Sequence, residues 1–579
     1  MGKRTLIALD TDHIKQYVFA TDRLKDIRGA SSRLDHLNRK TMTGEDNEQI
    51  KSFKAEKVYA NGGSGMFLIE GDREAAEKLG RLIQKEYANQ TKGGATISFA
   101  VQELPDGVDP WKGDIKDILD LLNLRLLTAK TKPQDILTLP SHPFMRPCDS
   151  CGSQYAENKD LKGTRDPVDE RKRYCESCLA KRKEDEAVRG AIGTIIDAHD
   201  YRRQHNIEKI TIEKIIDEWI HAGRDIKKRS YIWEQIVNAL PGTYEIPPET
   251  ERPSDFNEFR NIPGGKEYLG LIYADGNSMG KIMSGARNLD EKEKMADTID
   301  DAIFKALSAA IDAHLKVVIQ DSKPMFPFDV LMVGGDDIMI VTPAAVALDV
   351  AVTIAEEFHK VTGYTLSVGV VLAPVKYPFG LLQDLAESTL KYAKKLGANK
   401  KHSSKEEQKS TGHINFLVVA GSTSHDFQQV YLSLHKKGVQ VDGKTGEAEF
   451  YATLRPYPPE EMRNLLTRIR QGKRLSLGRT KLHQMREAVL KMNLSTSVSE
   501  GLTVLRNWRA AQQDFALKEL FTLGKRARQH NMEEPGSWFP RVTFPWFADG
   551  ENIYRTSLLD IVELYDFVAT EGGSNGSEG

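Results

Sequence analysis

Three short segments of this chain recur in the same order roughly 270 residues further on. Thr5 to Asp12 (TLIALDTD) resembles Gly270 to Asn277 (GLIYADGN). Asn61 to Gly71 (NGGSGMFLIEG) resembles Val333 to Pro343 (VGGDDIMIVTP), and Ala95 to Leu104 (ATISFAVQEL) resembles Tyr364 to Ala373 (YTLSVGVVLA). Any one pair is within reach of chance. Three pairs in register argue for a duplicated domain.

The second copy reads element by element. YLGLIYAD is a buried strand ending in an acid, and the stretch from Asp290 to Ile319 carries helical periodicity. FDVLMVGGDDIMIV is two strands around a tight Gly-Gly turn. A helix, the strand TLSVGVVLAP, a third helix and the closing strand INFLVVAG follow. The order is βαββαβ, the ferredoxin-like split unit of an α+β fold. Its helices are expected on one face of an antiparallel sheet, leaving the other face free for a site.

Two adjacent carboxylates in so apolar a hairpin need a reason. Gly334 and Gly335 permit a sharp turn and a close approach to a bulky ligand, with Asp336 and Asp337 at the turn's exit. Asp275 ends the strand expected beside them, and neighbouring strands lie about 4.8 Å apart. The three acids can therefore converge. Like charges so close raise one another's pKa unless a cation compensates, and a hard divalent ion, Mg²⁺ or Mn²⁺, is the natural one. Two such ions about 4 Å apart favour in-line attack on phosphorus. The stretch Asp275, Gly276, Asn277, Ser278, Met279, Gly280, Lys281 then enters a helix; its glycines let backbone approach a ligand, and Lys281 adds charge for a triphosphate. Lys391, Lys394 and Lys395 follow the later strand, and Lys394 is placed with the nucleotide-binding residues. In the first copy the hairpin reads Gly62, Gly63, Ser64, Gly65, so its acids are gone although Asp10 and Asp12 remain. That copy is read as structural or nucleotide-holding, and the helix carrying Arg28, Ser31 and Ser32 either packs the core, the reading favoured, or lines a cleft between copies.

All four cysteines lie in one window as two C-x-x-C pairs, Cys148/Cys151 and Cys175/Cys178. Four soft ligands so arranged suit a structural Zn²⁺ and leave no open position for water. The net charge of −2 gives no global drive toward nucleic acid or membrane. No apolar run approaches the roughly 20 residues of a membrane helix, so no membrane partner is expected and a cytoplasmic location is. The division is expected at 1–140 (first, degenerate copy), 141–262 (zinc knuckle and helical linker), 263–425 (second copy) and 426–579 (helical, with a disordered tail and with Trp508, Trp538 and Trp546 as core or partner contacts).

Together these residues resemble the large subunit of type III CRISPR effector complexes, the Cmr/Csm polymerase-cyclase family. DGNSMGKIMSG (Asp275 to Gly285) is similar to that family's DGDxMGxxxxG, KYPFGLLQDLAESTLKYAKKLG to the helix after its PL/PF turn, and LRPYPPEEMRNLL to its Arg-Pro segment. The resemblance implies two palm domains, a zinc segment and a helical C-terminal domain. It implies joining of ATP units by 3′–5′ bonds into cyclic oligoadenylates, with Asp275, Asp336 and Asp337 holding the metals. It implies guide or target RNA and other type III effector subunits as partners. Asn277 departs from the family's second acid. The chain opens on the palm strand with no room for an HD nuclease domain, and His199-Asp200 and His425-Asp426 are isolated pairs, so no DNase activity is expected. Two other readings stay open: a nucleotide-binding scaffold, and a cyclic dinucleotide synthase like the GGDEF cyclases, whose ALYxAK helix TLKYAK resembles.

Overall fold

The computed structural model describes residues 3–131, 145–156, 172–207, 209–226, 229–261, 267–399, 412–420, 427–440, 447–520, 544–548 and 552–569. The repeat appears in it as two sheets of one strand order. The first copy runs β1 (Arg4–Asp12), α1 (Ile14–Val18), α2 (Leu24–His36), α3 (Glu48–Lys51), β2 (Glu56–Asn61), β3 (Ser64–Glu70), α4 (Arg73–Thr91), β4 (Thr96–Glu103) and α5 (Lys116–Lys130). Then come α6 (Glu176–Gln204), α7 (Ile212–His221) and α8 (Tyr231–Ala239). The second copy runs β5 (Tyr268–Gly276), α9 (Met279–Met283), α10 (Leu289–His314), a small hairpin of β6 (Val318–Gln320) and β7 (Lys323–Met325), β8 (Asp329–Gly334), β9 (Asp337–Pro343), α11 (Ala347–Thr362), β10 (Leu366–Pro374), α12 (Phe379–Asn399) and β11 (Ile414–Val418). The sheets are ordered β2-β3-β1-β4 and β8-β9-β5-β10-β11, the same palm twice, with β11 added in parallel to the second.

Strand alternation decides where each copy buries its faces. In β5, Ile272 and Ala274 point into a core with α10 and α11, while Leu271 and Tyr273 join a second core with α12. In β1, Ile7 and Leu9 enter that same second core, which takes in α2 and α4, while Leu6 and Ala8 pack under α5. One apolar core thus runs between the copies. Neither sheet keeps the free face expected from the βαββαβ order, because α5 and α12 cover it. The site therefore has to lie at the strand ends.

The copies dock reciprocally: α2 lies against β8, and α10 against β2. At the centre their hairpin turns meet. A Cβ on Gly62 would stand 2.7 Å from the Gly335 amide nitrogen, and one on Gly334 would stand 2.9 Å from the Gly62 Cα, so backbone packs on backbone there.

The linker core of α6, α7 and α8 is continuous with that of the second palm. His199 is buried in it with its ring 3.1 Å from the Tyr244 carbonyl, a packing role; His425-Asp426 falls outside the described residues. Trp508 and Trp546 are buried, and Trp538 is also outside the described residues. The C-terminal part is not purely helical. Besides helices such as Pro459–Arg474, Arg479–Leu490 and Leu494–Arg506, it holds a sheet of β12 (His435–Gln440), β13 (Glu447–Tyr451), β15 (Ile553–Arg555) and β14 (Phe547–Ala548), in that order. No helix among the described residues is long and apolar enough to cross a membrane.

Candidate active site between the two palms

Strand register places the acids. Asp275 lies opposite Ser367 on β10, and the β5–β9 pairing, which reaches Ala274 and Ile338, brings Asp275 next to Asp337 on its other side. Gly334 pairs with Asp337, so the two turn residues are Gly335, at φ +61°, and Asp336. Asp336 thus sits in the bend itself rather than at its exit. In the first palm, Asp10 lies opposite Ser64 and Ser98. Ser64 therefore holds the place of Asp337, and Gly63 that of Asp336, one residue away from the match read by eye.

The carboxylates lie together. The charge of Asp275 acts on Asp336, and a Cβ on Gly276 would fall 2.5 Å from Asp336 Oδ2, so only glycine leaves that carboxylate its room. Lys394 Nζ sits 2.7 Å from Asp275 Oδ2 and donates to the Gly276 carbonyl at 3.0 Å. From the other palm comes Lys15, a residue the sequence did not flag. Its Nζ is 3.4 Å from Glu387 and 5.0 Å from the centre of the Tyr273 ring, and its charge acts on Asp337. Burial, then the charge of Asp275, raises Asp336 to about 6. Burial, then Asp275 and Asp336, holds Asp337 well above the usual carboxylate range, against the opposing pull of Lys15 and Lys394. Asp337 Oδ1 is buried and has no hydrogen-bond partner. Clustered acids kept partly protonated, with an oxygen left unsatisfied, form a donor set suited to a hard cation.

The first palm repeats the arrangement with different chemistry. Lys130 pairs with Asp10 as Lys394 does with Asp275. Asp12 accepts from Thr96 (3.3 Å) and Ser98 (3.1 Å); Asn277 accepts from Ser367 (2.8 Å) and donates to Thr365 (2.9 Å). Asn277 thus serves the strand end, and its side chain is taken up by β10 rather than offered to a nucleotide.

Two clefts flank the hairpins. One of about 570 Å³ is lined by Met279, Gly280, Met283, Lys292 and Asp336 of the second palm and by Asp10, Tyr59 and Lys130 of the first. The other, about 420 Å³, is lined by His13, Lys15 and Ser31 of the first palm and by Met332, Gly334 and Asp337 of the second. They correspond under exchange of the copies: His13 and Ser278, both in left-handed backbone, start α1 and α9. Of the other predicted residues, Gly280 and Gly335 line the larger cleft and Gly334 the smaller; Met279 is buried against Gly276. Ser278 and Lys281 are exposed and line neither, and α9 is only five residues long. Lys391 pairs with Glu387, and Lys395 lies over the Tyr392 ring. Ser31 does line a cleft between copies, whereas Arg28 is consumed by Asp185 and Asp329.

Cys148, Cys151, Cys175 and Cys178 bring their Sγ atoms within 4.8 Å of one another, with Cys151 and Cys175 at 3.9 Å. Zn–S bonds of about 2.3 Å in a tetrahedron require S···S near 3.8 Å, so the group fits Zn²⁺. Among the described residues no other such group is so tight; Asp275, Asp336 and Asp337 are held wider, with Lys394 among them.

Two palms of one strand order, docked hairpin to hairpin with hairpin acids in the second only, define a twin-palm fold. Residues 268–403 match the family model described as Cas10/Cmr2, second palm domain. Over 144 residues the chain is 25% identical to the CRISPR system Cmr subunit Cmr2 of Pyrococcus furiosus, an alignment spanning 21% of this chain and only 16% of that protein's length. In fold it is similar to the Csm1-Csm4 cassette in complex with pppApA (TM-score 0.52, 15% identity, 98% of this chain and 70% of that one). The same holds for that cassette in complex with cA4 (0.52, 16%, 97% and 69%) and for Csm1 of T. onnurineus (0.52, 14%, 98% and 70%). By that match the second palm is a Cas10/Cmr2 palm, and the chain as a whole is similar in fold to Csm1.

Proposed function

We propose that this chain is a metal-dependent nucleotidyl cyclase that converts ATP into cyclic oligoadenylates. The observation that carries the reading is the cluster of Asp275, Asp336 and Asp337 at the seam between two palms, with a cleft on either side of the hairpin. Mg²⁺ or Mn²⁺ held by these three carboxylates would supply charge neutralisation for a triphosphate and activation of a ribose 3′-hydroxyl. The chain's own residues do the rest. Burial and the charge of Asp275 raise Asp336 to about 6, so its proton must leave before its full negative charge is available. Lys394, from the second palm, and Lys15, from the first, both supply positive charge to the acids. Gly276 leaves room for the Asp336 carboxylate, and Gly334 lets the backbone of the other palm's turn pack against the hairpin. Two clefts related by the duplication allow one chain to hold two nucleotides, acceptor and donor, without a second copy of itself.

Support for adenine nucleotides comes from the similar structures, whose complexes contain pppApA and cA4. By the same resemblance the chain would work with other type III subunits and be switched on by RNA. The test is incubation of the full chain with each labelled nucleoside triphosphate and Mg²⁺ or Mn²⁺, with and without RNA and partner subunits. Cyclic adenylate product that disappears in Asp336→Asn supports the reading. No product from any nucleotide, partners and RNA supplied, removes it; metal-dependent nucleotide binding without turnover would leave a scaffold subunit instead.

A further inference from the structure

β4 ends the first sheet, and among the described residues it is paired on one side only, by β1. The second palm does not leave the matching edge bare, because β11 lies along β10 in parallel. The duplication relates the two edges residue by residue. Ser98 faces Asp10 as Ser367 faces Asp275, so Phe99, Val101 and Glu103 stand where Val368, Val370 and Leu372 do. Those second-palm residues face β11: the Val368 amide donates to the His413 carbonyl at 2.8 Å, and the Leu372 carbonyl accepts from the Val419 amide at 2.8 Å. In the first palm, Phe99 and Val101 instead line a groove of about 510 Å³, walled by Arg73 and Glu77 of α4 and by Leu124 and Arg125 of α5. A bare strand edge is a template for another strand.

Side chains hold two carbonyls of that edge where a strand would. Gln84 donates to the Ile97 carbonyl at 2.7 Å and Arg125 to the Val101 carbonyl at 3.1 Å. Arg125 lies five residues before Lys130, as Thr389 lies five before Lys394, and the two lysines make equivalent pairings. Thr389 is where β11 touches α12, since the Asn415 side chain donates to its carbonyl at 2.9 Å. Where the second palm meets its added strand with a neutral contact, the first presents a guanidinium that forms no ion pair among the described residues. A carboxylate on an incoming strand is its natural partner. Leu121 and Leu124, 40% and 60% exposed, add apolar surface where α12 has the buried Leu385 and Ser388. The surface therefore fits an extended segment with apolar residues and one acid opposite Arg125.

We propose that the β4 edge, with Arg125 and Leu124 of α5, is a docking site for an extended, acid-bearing strand of a partner protein, added to the first sheet as β11 is to the second. The site uses none of the residues assigned to nucleotide chemistry, so its test is separate from that of the nucleotide reading. The probes are labelled peptides of β11's own sequence, Gly412–Val419, one unchanged and one with Asn415→Asp, titrated into the full chain by fluorescence anisotropy. A third peptide adds N-methyl groups to the Asn415→Asp version at residues 415 and 417, the alternate amides that face the edge with Val419. The Asn415→Asp peptide is expected to bind several-fold tighter than the unchanged one, and the methylated peptide not at all. Binding slows hydrogen exchange at residues 96–103. In Arg125→Glu the order of the first two peptides reverses, with the thermal midpoint kept; if that variant melts early, Arg125→Met serves, and there the preference for the acid disappears. No binding of the Asn415→Asp peptide, equal binding of its methylated form, or an unchanged order in the Arg125 variants overturns the proposal. Slow exchange across residues 96–103 in the free monomer does so too, since the edge would already be covered. A dimer whose dissociation exposes that segment would assign the edge to a second copy and overturn the partner.

Discussion

Lys394 Nζ lies 2.7 Å from Asp275 Oδ2, and Lys130 makes the same pairing with Asp10 in the other palm. Each strand-end acid has thus been given an internal cation from the helix after the fourth strand of its own sheet. In the first palm nothing else negative stands on the hairpin, and the pair is complete. In the second, Lys394 with Lys15 of the other palm faces three acids.

That imbalance predicts the behaviour of Lys394→Met. Both partners are about a third exposed, so the pair is partly screened and its loss should cost about 1 kcal/mol in the absence of divalent ions. The variant should gain more thermal stability from added Mg²⁺ than the wild type does, since the ion then has more charge to neutralise. Thermal melts with and without Mg²⁺ check this; equal gains in the two proteins would count against a metal at Asp275.

A second prediction concerns pH. The folded-state pKa of Asp336 is raised to about 6 from an ordinary 3.8. Between those values the folded state holds a proton that the unfolded chain releases, so Asp336 destabilises the metal-free protein progressively as pH rises from about 4 to 6 and fully above it. The cost at neutral pH is about 1–3 kcal/mol. Asp336→Asn should therefore raise metal-free stability at pH 7.5 but leave it nearly unchanged at pH 4. In the wild type, Mg²⁺ affinity should climb through pH 5 to 7 and then level off, as the ion no longer competes with a proton. Calorimetric titrations across that range test both halves.

Much of this was legible in the sequence because repetition and strand ends leave a linear trace. The two palms, the acid closing each first strand, the Gly-Gly turns and the paired cysteines all follow from local pattern. What escaped depends on docking between distant elements. Lys15 looks like an ordinary residue in HIKQYV until the second copy folds against it. Lys292 reads as one more charge in DEKEK, and only the packing of α10 over α9 buries it. The one-residue offset between the hairpins was invisible for a related reason. Both contain Gly-Gly, but bulges after Lys57 and Val330 and the pairing of β1 and β5 set which residue faces the acid. Asn277 shows the reverse failure: a polar residue in a ligand-like motif whose side chain is used by Thr365 and Ser367.

Arg28 yields a third prediction. It is 3% exposed, with Nε 2.9 Å from Asp185 on α6 and Nη1 2.7 Å from Asp329, which opens β8 and is fully buried. One side chain of the first palm thus joins the linker to the second palm. Arg28→Met would strand two buried carboxylates beside Arg252 alone and should cost about 3–5 kcal/mol. The double variant Arg28→Met, Asp329→Asn should recover part of that loss by removing one orphaned charge. Denaturant unfolding of the two variants measures it, and equal stability of the single and double variants would show the three groups to be uncoupled.

The zinc knuckle gives the last. Its cysteines lie in contact with the first palm rather than with the acids. Ser150, between Cys148 and Cys151, hydrogen-bonds Asp26 on α2 and Thr21 at 2.8 Å. Cys175 caps the start of α6, from which Lys181 donates to the Tyr17 carbonyl on α1 at 2.5 Å and Arg182 pairs with Asp26 at 2.8 Å. The helices crossing there are so close that a Cβ on Gly29 would overlap the Lys181 carbonyl. Both α1 and α2 are therefore pinned to the knuckle, and α1 carries Lys15 toward Asp337. A Zn²⁺ held by the four cysteines would tie the loop to the start of α6, so without it the loop and the α6 cap should loosen together. Chelation, or Cys148→Ser, should then raise hydrogen exchange across residues 13–36 and reduce nucleotide turnover, although no thiolate touches the carboxylates. Exchange mass spectrometry resolves that segment from the second palm. A change confined to the knuckle, with residues 13–36 as protected as before, would mean that zinc stabilises only its own loop.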